Sequence, residues 1–178
     1  MRVSLVLTII GAERPGIVAE VATLAAAHDA SWQDSRMARL AGQFAGIVAL
    51  EVSEEESAAL ERALQTLESE GLQIAIGRDT APRRPAGSSG IVLDLVGHDR
   101  EGIVRDIAAA LARHGVSIDE LETGVEDASM SGERLFRARA SLVLPDAIDL
   151  DALRGDLETI ADELMVDLSL DRVRPEGA

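Results

Sequence analysis

The chain has 178 residues, 47 % of them hydrophobic, with no cysteine and a formal net charge of −15. These facts exclude disulfides and thiol catalysis. They also leave no run of about eighteen apolar residues for a membrane helix, and no broad positive surface to displace counterions from a phosphate backbone. Every basic residue is an arginine, and only Arg83-Arg84 and the Arg134, Arg137, Arg139 group are locally basic. Direct nucleic-acid binding and membrane insertion are therefore not expected. Arg2 leads straight into an alternating segment and not into an apolar leader, so a cytoplasmic location is expected.

Val3 to Ile10 alternates as a strand, with Val3, Leu5, Leu7 and Ile9 on one face. The turn Gly11 to Gly16 follows, and Pro15 suits the first turn of a helix. Ile17, Val18, Val21, Leu24, Ala25 and His28 recur at helical spacing as one apolar stripe. Ala30 to Leu40 reads as extended and Gly42-Gln43 as a turn. Phe44 to Val52 reads as a third strand, with Phe44, Gly46, Val48, Leu50 and Val52 on one face. Ser53 with Glu56 forms a capping box. Leu60, Leu64 and Leu67 make a second helical stripe ending at Gly71, a natural helix stop. Leu72, Ile74 and Ile76 alternate as a fourth strand. The order is βαββαβ.

The same order returns. Ile10-Gly11-Ala12-Glu13-Arg14-Pro15-Gly16-Ile17-Val18 is echoed by Val96-Gly97-His98-Asp99-Arg100-Glu101-Gly102-Ile103-Val104, with both glycine pairs 86 apart (97 − 11 and 102 − 16). His28 and His114 share that spacing, which marks an internal duplication. Strands are expected at Ile91 to Val96, Val116 to Gly124, Leu135 to Leu144 and Val166 to Leu170, with helices at Ile103 to His114 and Leu150 to Leu164. The second hairpin carries a longer polar loop at Asp127–Gly132. The fold class is α+β: two ferredoxin-like sandwiches in tandem, each an antiparallel sheet with its helices on one face. The domains are 1–79 and 91–174, joined by a Pro/Gly/Ser-rich linker at 80–90. The uncovered sheet faces need a partner or a polar surface.

A strand-to-helix turn with two glycines brings backbone N–H groups to a helix N-terminus, where an anion such as an amino-acid carboxylate is favoured. Glu13 or Asp99 could then meet the ammonium group. The simpler reading is that the glycines only let turn and helix pack, with Asp99 as an N-cap. Both readings stand on the residues alone. His28 and His114 are read as capping the ends of their helices, Trp32 as a packing residue, and Arg36 and Arg39 as solvated or partner-facing. Arg137 and Arg139 are placed on an open sheet face, and Glu54 to Glu56 is read as a capped helix start and not a metal cluster. No nucleophile elbow, phosphate loop or metal-ligand spacing occurs, and the turn has two glycines where a dinucleotide fingerprint needs three. No catalytic residue, cofactor or metal is expected.

The duplicated unit, with its Gly-x-x-Arg-x-Gly-Ile-Val turn, resembles the ACT domain. The first half, through Arg14-Pro15-Gly16-Ile17-Val18, then Trp32, Ser35 and Met37, then Leu40, Gly42, Phe44, Ala45 and Gly46, resembles the glycine cleavage system transcriptional repressor family. That resemblance implies a non-enzymatic tandem regulator. It would bind glycine or a similar amino acid, contact a protein partner such as a transcription activator, and assemble as a homodimer. The implied ligand-binding residues are Gly11, Glu13, Arg14, Pro15, Gly16, Ile17, Gly97, His98, Asp99, Arg100, Gly102 and Ile103. The alternatives are a ligand-free oligomerisation module and a regulatory subunit of an amino-acid metabolic enzyme.

Overall fold

The computed structural model describes residues 1–78, 90–127 and 134–172. The first unit comprises β1 (Arg2–Ala12), α1 (Ile17–Ala27), β2 (Ser31–Leu40), β3 (Gln43–Ser53), α2 (Glu54–Gln65), a short 3-10 turn (Thr66–Glu70) and β4 (Leu72–Arg78). The second comprises β5 (Ile91–His98), α3 (Ile103–Arg113), β6 (Ser117–Asp127), β7 (Arg134–Val143), α4 (Leu150–Leu164) and β8 (Val166–Arg172). The chain divides into compact units Met1–Pro82 and Arg83–Ala178. Of the expected linker only Gly90 is described, and the expected long hairpin loop beyond Asp127 and the end of the second domain beyond Arg172 lie outside the described residues.

The sheet orders are β2-β3-β1-β4 and β6-β7-β5-β8, antiparallel throughout. Each domain thus places its first strand beside both its third and its fourth, as the split βαβ arrangement requires. Period-two alternation decides which face each side chain meets. Leu5, Leu7 and Ile9 of β1 and Val48, Leu50 and Val52 of β3 are fully buried, and so are Val21 of α1 and Leu60 and Leu64 of α2. Each such side chain contributes about 1.5–3 kcal/mol of burial free energy. Leu93, Leu95, Leu111, Leu142, Leu153 and Leu157 build the second core in the same way.

Several residues of the sequence motif of the first half, Trp32, Met37, Phe44 and Gly46, are packing residues. A Cβ on Gly46 would sit 3.0 Å from Met37 Cγ and 3.5 Å from Phe44 Cζ. Gly46 therefore makes room for Met37, its cross-strand partner, and for Phe44, two residues before it. Trp32 packs against this core and donates from Nε1 to Ser35 Oγ at 3.2 Å.

Three local expectations are corrected. The β2–β3 turn is Ala41-Gly42, not Gly42-Gln43. Leu40 pairs directly with Gln43, and both turn residues have positive φ (+49° and +78°), the two-residue hairpin geometry that matches strand twist. Pro15 lies before the helix, because Gly16 is the N-cap of α1. Of the capping box at α2, the Ser53 half forms, its Oγ accepting from Glu56 N at 3.2 Å. The Glu56 carboxylate is drawn instead to His28.

The two outer sheet faces differ. On the first sheet, Val6, Ile10, Ala45, Ile47 and Ala75 lie on the face away from the helices, with Ile47 53 % and Ile10 44 % exposed. On the second, the same face carries Asp94, Glu122, Glu126, Arg137 and Arg139.

Candidate functional site: the two strand-to-helix turns

Each turn begins with a glycine that the last strand needs. A Cβ on Gly11 would lie 2.6 Å from Leu72 Cδ2 and 3.0 Å from Gly71 O; one on Gly97 would lie 2.9 Å from Val166 Cα. Each turn ends with a left-handed glycine, Gly16 at φ +100° and Gly102 at φ +95°, a backbone state that side chains disfavour. Their carbonyls accept the first helical bonds, from Glu20 N and Asp106 N, both at 2.9 Å. No side chain caps either helix, so Asp99 is not an N-cap. The first N–H groups of both helices have no side-chain acceptor from a capping residue.

Glu13 and Asp99 do the same work in the two turns. Glu13 N donates to Gly42 O at 2.9 Å and Asp99 N to Arg134 O at 3.0 Å, tying each turn to the neighbouring hairpin. Their carboxylates face Arg39 (3.8 Å) and Arg134 (3.5 Å). Pro15 is exposed, whereas Ile17 and Ile103 point into the cores, each 2 % exposed. His98, at the end of β5, is exposed.

The two arginines differ. Arg14 is half-buried and spans two acids: its Nη2 donates to Glu20 Oε2 at 2.6 Å and to Glu70 Oε2 at 3.0 Å, and its Nη1 also bonds Glu20. The hydrogen bond from Arg14 holds the Glu20 carboxyl below the usual glutamate range. The bridge ties the first turn of α1 to the turn before β4. In the second domain Asp106 stands where Glu20 does (106 − 20 = 86). It is taken by Arg105 at 2.7 and 3.1 Å, whose hydrogen bond likewise lowers its pKa. Arg100 is exposed, and among the described residues its partner is the Met165 thioether at 4.0 Å, a weak acceptor. One turn is closed by a bidentate ion pair; the other presents a guanidinium with no carboxylate on it among the described residues.

Two sets of partners escaped sequence reasoning. Glu20 and Asp106 share the 86-residue spacing and were findable from it. Glu70 is 56 residues from Arg14 and carries no local signal. The histidines are the C-caps of α1 and α3, as expected, and their side chains reach further: His28 Nδ1 lies 3.0 Å from Glu56 Oε2 and His114 Nε2 lies 2.9 Å from Asp156 Oδ2. They join the two helices of each domain, in addition to ending their own. Arg137 and Arg139 do lie on the outer sheet face, paired with Glu126 (3.0 Å) and Asp94 (3.6 Å). Among the described residues no group of three or more His, Cys, Asp or Glu is placed to hold a metal ion, and no helix is long and apolar enough to cross a membrane.

Residues 4–76 match the ACT domain. The chain carries an ACT domain. Its two ferredoxin-like units form the tandem arrangement of that fold. The chain is similar over 98 % of its length, and over all of the other chain, to a crystal structure of an unknown protein from Galdieria sulphuraria, at 31 % identity and a TM-score of 0.83. It shares its two-domain fold with a candidate glycine cleavage system transcriptional repressor, at 20 % identity and a TM-score of 0.71, over 98 % of this chain and 99 % of that one. No curated protein matches the chain.

Proposed function

We propose that this ACT-domain regulator is a cytoplasmic, non-enzymatic amino-acid sensor that acts on transcription through contact with a protein partner. It binds glycine or a similarly small amino acid. The observation that carries the reading is the unequal pair of turns. Arg14 is consumed by Glu20 and Glu70, whereas Arg100 stands beside the left-handed Gly102 with no acidic partner among the described residues. A guanidinium at a helix N-terminus suits a carboxylate, which it can hold through two parallel hydrogen bonds. Asp99, one residue earlier, is available to an ammonium group when Arg134, exposed and 3.5 Å away, turns to solvent. The ligand then works by population shift: it favours whichever conformer it binds better, and that conformer has the altered affinity for the partner. A homodimer is the proposed assembly. Arg137 and Arg139 on the second sheet are already paired with acids, which supports a protein partner over nucleic acid.

The test is a thermal-shift screen of the purified chain against the twenty amino acids, glycine and serine first. A ligand that binds only the folded state raises the midpoint by mass action. A selective shift that disappears in Arg100→Gln but survives in Arg14→Gln supports the sensor. No shift with any amino acid, from a folded sample, leaves the ligand-free interaction module. A shift lost in Arg14→Gln and kept in Arg100→Gln moves the site to the first turn.

A further inference from the structure

Strand β6 is the outermost strand of the second sheet among the described residues, so every second residue along it directs its N–H and C=O away from β7. After the irregularity between Ile118 and Glu120, its pairing with β7 is regular from Glu120 to Asp127. Its composition is lopsided. β6 holds five acids (Asp119, Glu120, Glu122, Glu126, Asp127) and no base, whereas the matching edge strand β2 holds Asp34, Arg36 and Arg39.

The cross-strand register sorts β6 into two faces. Glu120, Glu122 and Glu126 lie opposite Ser141, Arg139 and Leu135 on the outer face. There Glu122 and Glu126 border a shallow concavity of about 500 Å³ that also includes Asp94, Asp167, Arg137 and Arg139, four acids to two bases. Leu121, Thr123 and Val125 lie opposite Ala140, Ala138 and Phe136 on the helix face. There Ile118 and Leu121 border an apolar cleft against Val104, Ile107 and Ala108 of α3. Leu121, Val125 and Val104 are 44, 42 and 44 % exposed. In the first domain the position of Ile118 is held by Trp32 (118 − 32 = 86), whose larger ring packs onto that core.

We infer that β6 is a docking edge for an extended segment of a partner protein, added as a further antiparallel or parallel strand, in which basic residues alternate with aliphatic ones. The alternation follows from the pleat: one set of side chains lies beside Glu120, Glu122 and Glu126, the other beside Leu121 and Val125 and over the α3 cleft. Backbone pairing supplies affinity and the two faces supply specificity. A second copy does not meet this description. Its β6 would bring five acids against five, and like charges across strands are destabilising. Its β2 has Arg36 on one face and Arg39 on the other. The inference rests on the protein-contact half of the proposed function and is independent of the ligand.

The probe is a fluorescent peptide of alternating arginine and valine, about eight residues long to match the regular part of β6. Its anisotropy is measured on the full chain beside two controls: the same composition in two blocks, and the alternating peptide N-methylated at every second bond. The alternating peptide should bind at least about tenfold more tightly than either control. Glu122→Lys and Leu121→Asp should each weaken it roughly tenfold, with unchanged circular dichroism, while Ala38→Glu on β2 leaves it unchanged. Equal binding of the block peptide would reduce the effect to attraction by a chain of net charge −15 and overturn the inference. So would equal binding of the N-methylated peptide, or no binding at all. Sedimentation supplies another overturning result: a dimer that Leu121→Asp converts to monomer would assign the edge to a second copy. If the peptide fails while the amino-acid thermal shift persists, only the docking edge falls.

Discussion

His28, the residue that ends α1, reaches 3.0 Å to Glu56 in the first turn of α2. The second domain repeats the link between its own helices, His114 to Asp156 at 2.9 Å, but draws the carboxylate from beyond the first turn of α4. The histidines keep their 86-residue spacing while the acids do not (156 − 56 = 100). The same helix-to-helix tie is therefore made from different positions. Replacing either acid by its amide should cost about 0.5–1 kcal/mol, the scale of one side-chain hydrogen bond. The two losses should add, because they fall in separate cores. Urea midpoints of Glu56→Gln, Asp156→Asn and the double variant check this, and a cost below about 0.2 kcal/mol for both would remove the ties from the stability account.

Glu20 gives a pH dependence with a definite sign. Its folded-state pKa is depressed by the hydrogen bond from Arg14, so its contribution is present above the unfolded carboxyl value, about pH 4. It is lost as pH falls through the lower folded value. Glu20→Gln should therefore lower the urea midpoint by more at pH 7 than at pH 3. An equal deficit at both pH values would show that the residue acts through packing and not through charge.

The paired glycines at the strand ends should not be equally sensitive. Gly97→Ala places a methyl closest to Val166 Cγ1 and 2.9 Å from Val166 Cα, which is backbone, whereas Gly11→Ala meets the flexible Leu72 Cδ2 at 2.6 Å and backbone only at 3.0 Å. We expect Gly97→Ala to cost about 1–3 kcal/mol, the usual range for overpacking, and Gly11→Ala less. Thermal melts of the two variants decide it. A larger loss from Gly11→Ala would mean that its contact with Gly71 O at 3.0 Å, and not the side chain, sets the cost.

Met165 occupies a left-handed position (φ +54°) at the end of α4, 58 % exposed, where the first domain has Gly71 at φ +88°. Met165→Gly should stabilise by roughly 0.5–1 kcal/mol, since glycine adopts that state without strain. Ala41→Asn, at φ +49° in the hairpin turn, should act in the same direction. Both are read as raised melting temperatures, and a fall in either would mean that the native side chain makes contacts worth more than its strain.

Alternation in β1 and β3, the stripes of α1 and α2, and the 86-residue echo determined the element order, the tandem fold and the core faces. These are local periodicities, and burial enforces them at every second or every third and fourth residue. The hairpin turn was misplaced by one residue because Gly42 outweighed Ala41 as a turn signal. Only the strand register shows Leu40 opposite Gln43. Within the candidate site, the two turns were legible as copies but their difference was not. Arg14 and Arg100 look equivalent in the sequence. The chain brings Glu70 to the first and Met165 to the second through contacts 56 and 65 residues away. Charge partners at such separations leave no periodic trace. Long-range packing added Glu70 to the ion pair of the first turn and set Arg100 against Met165 in the second.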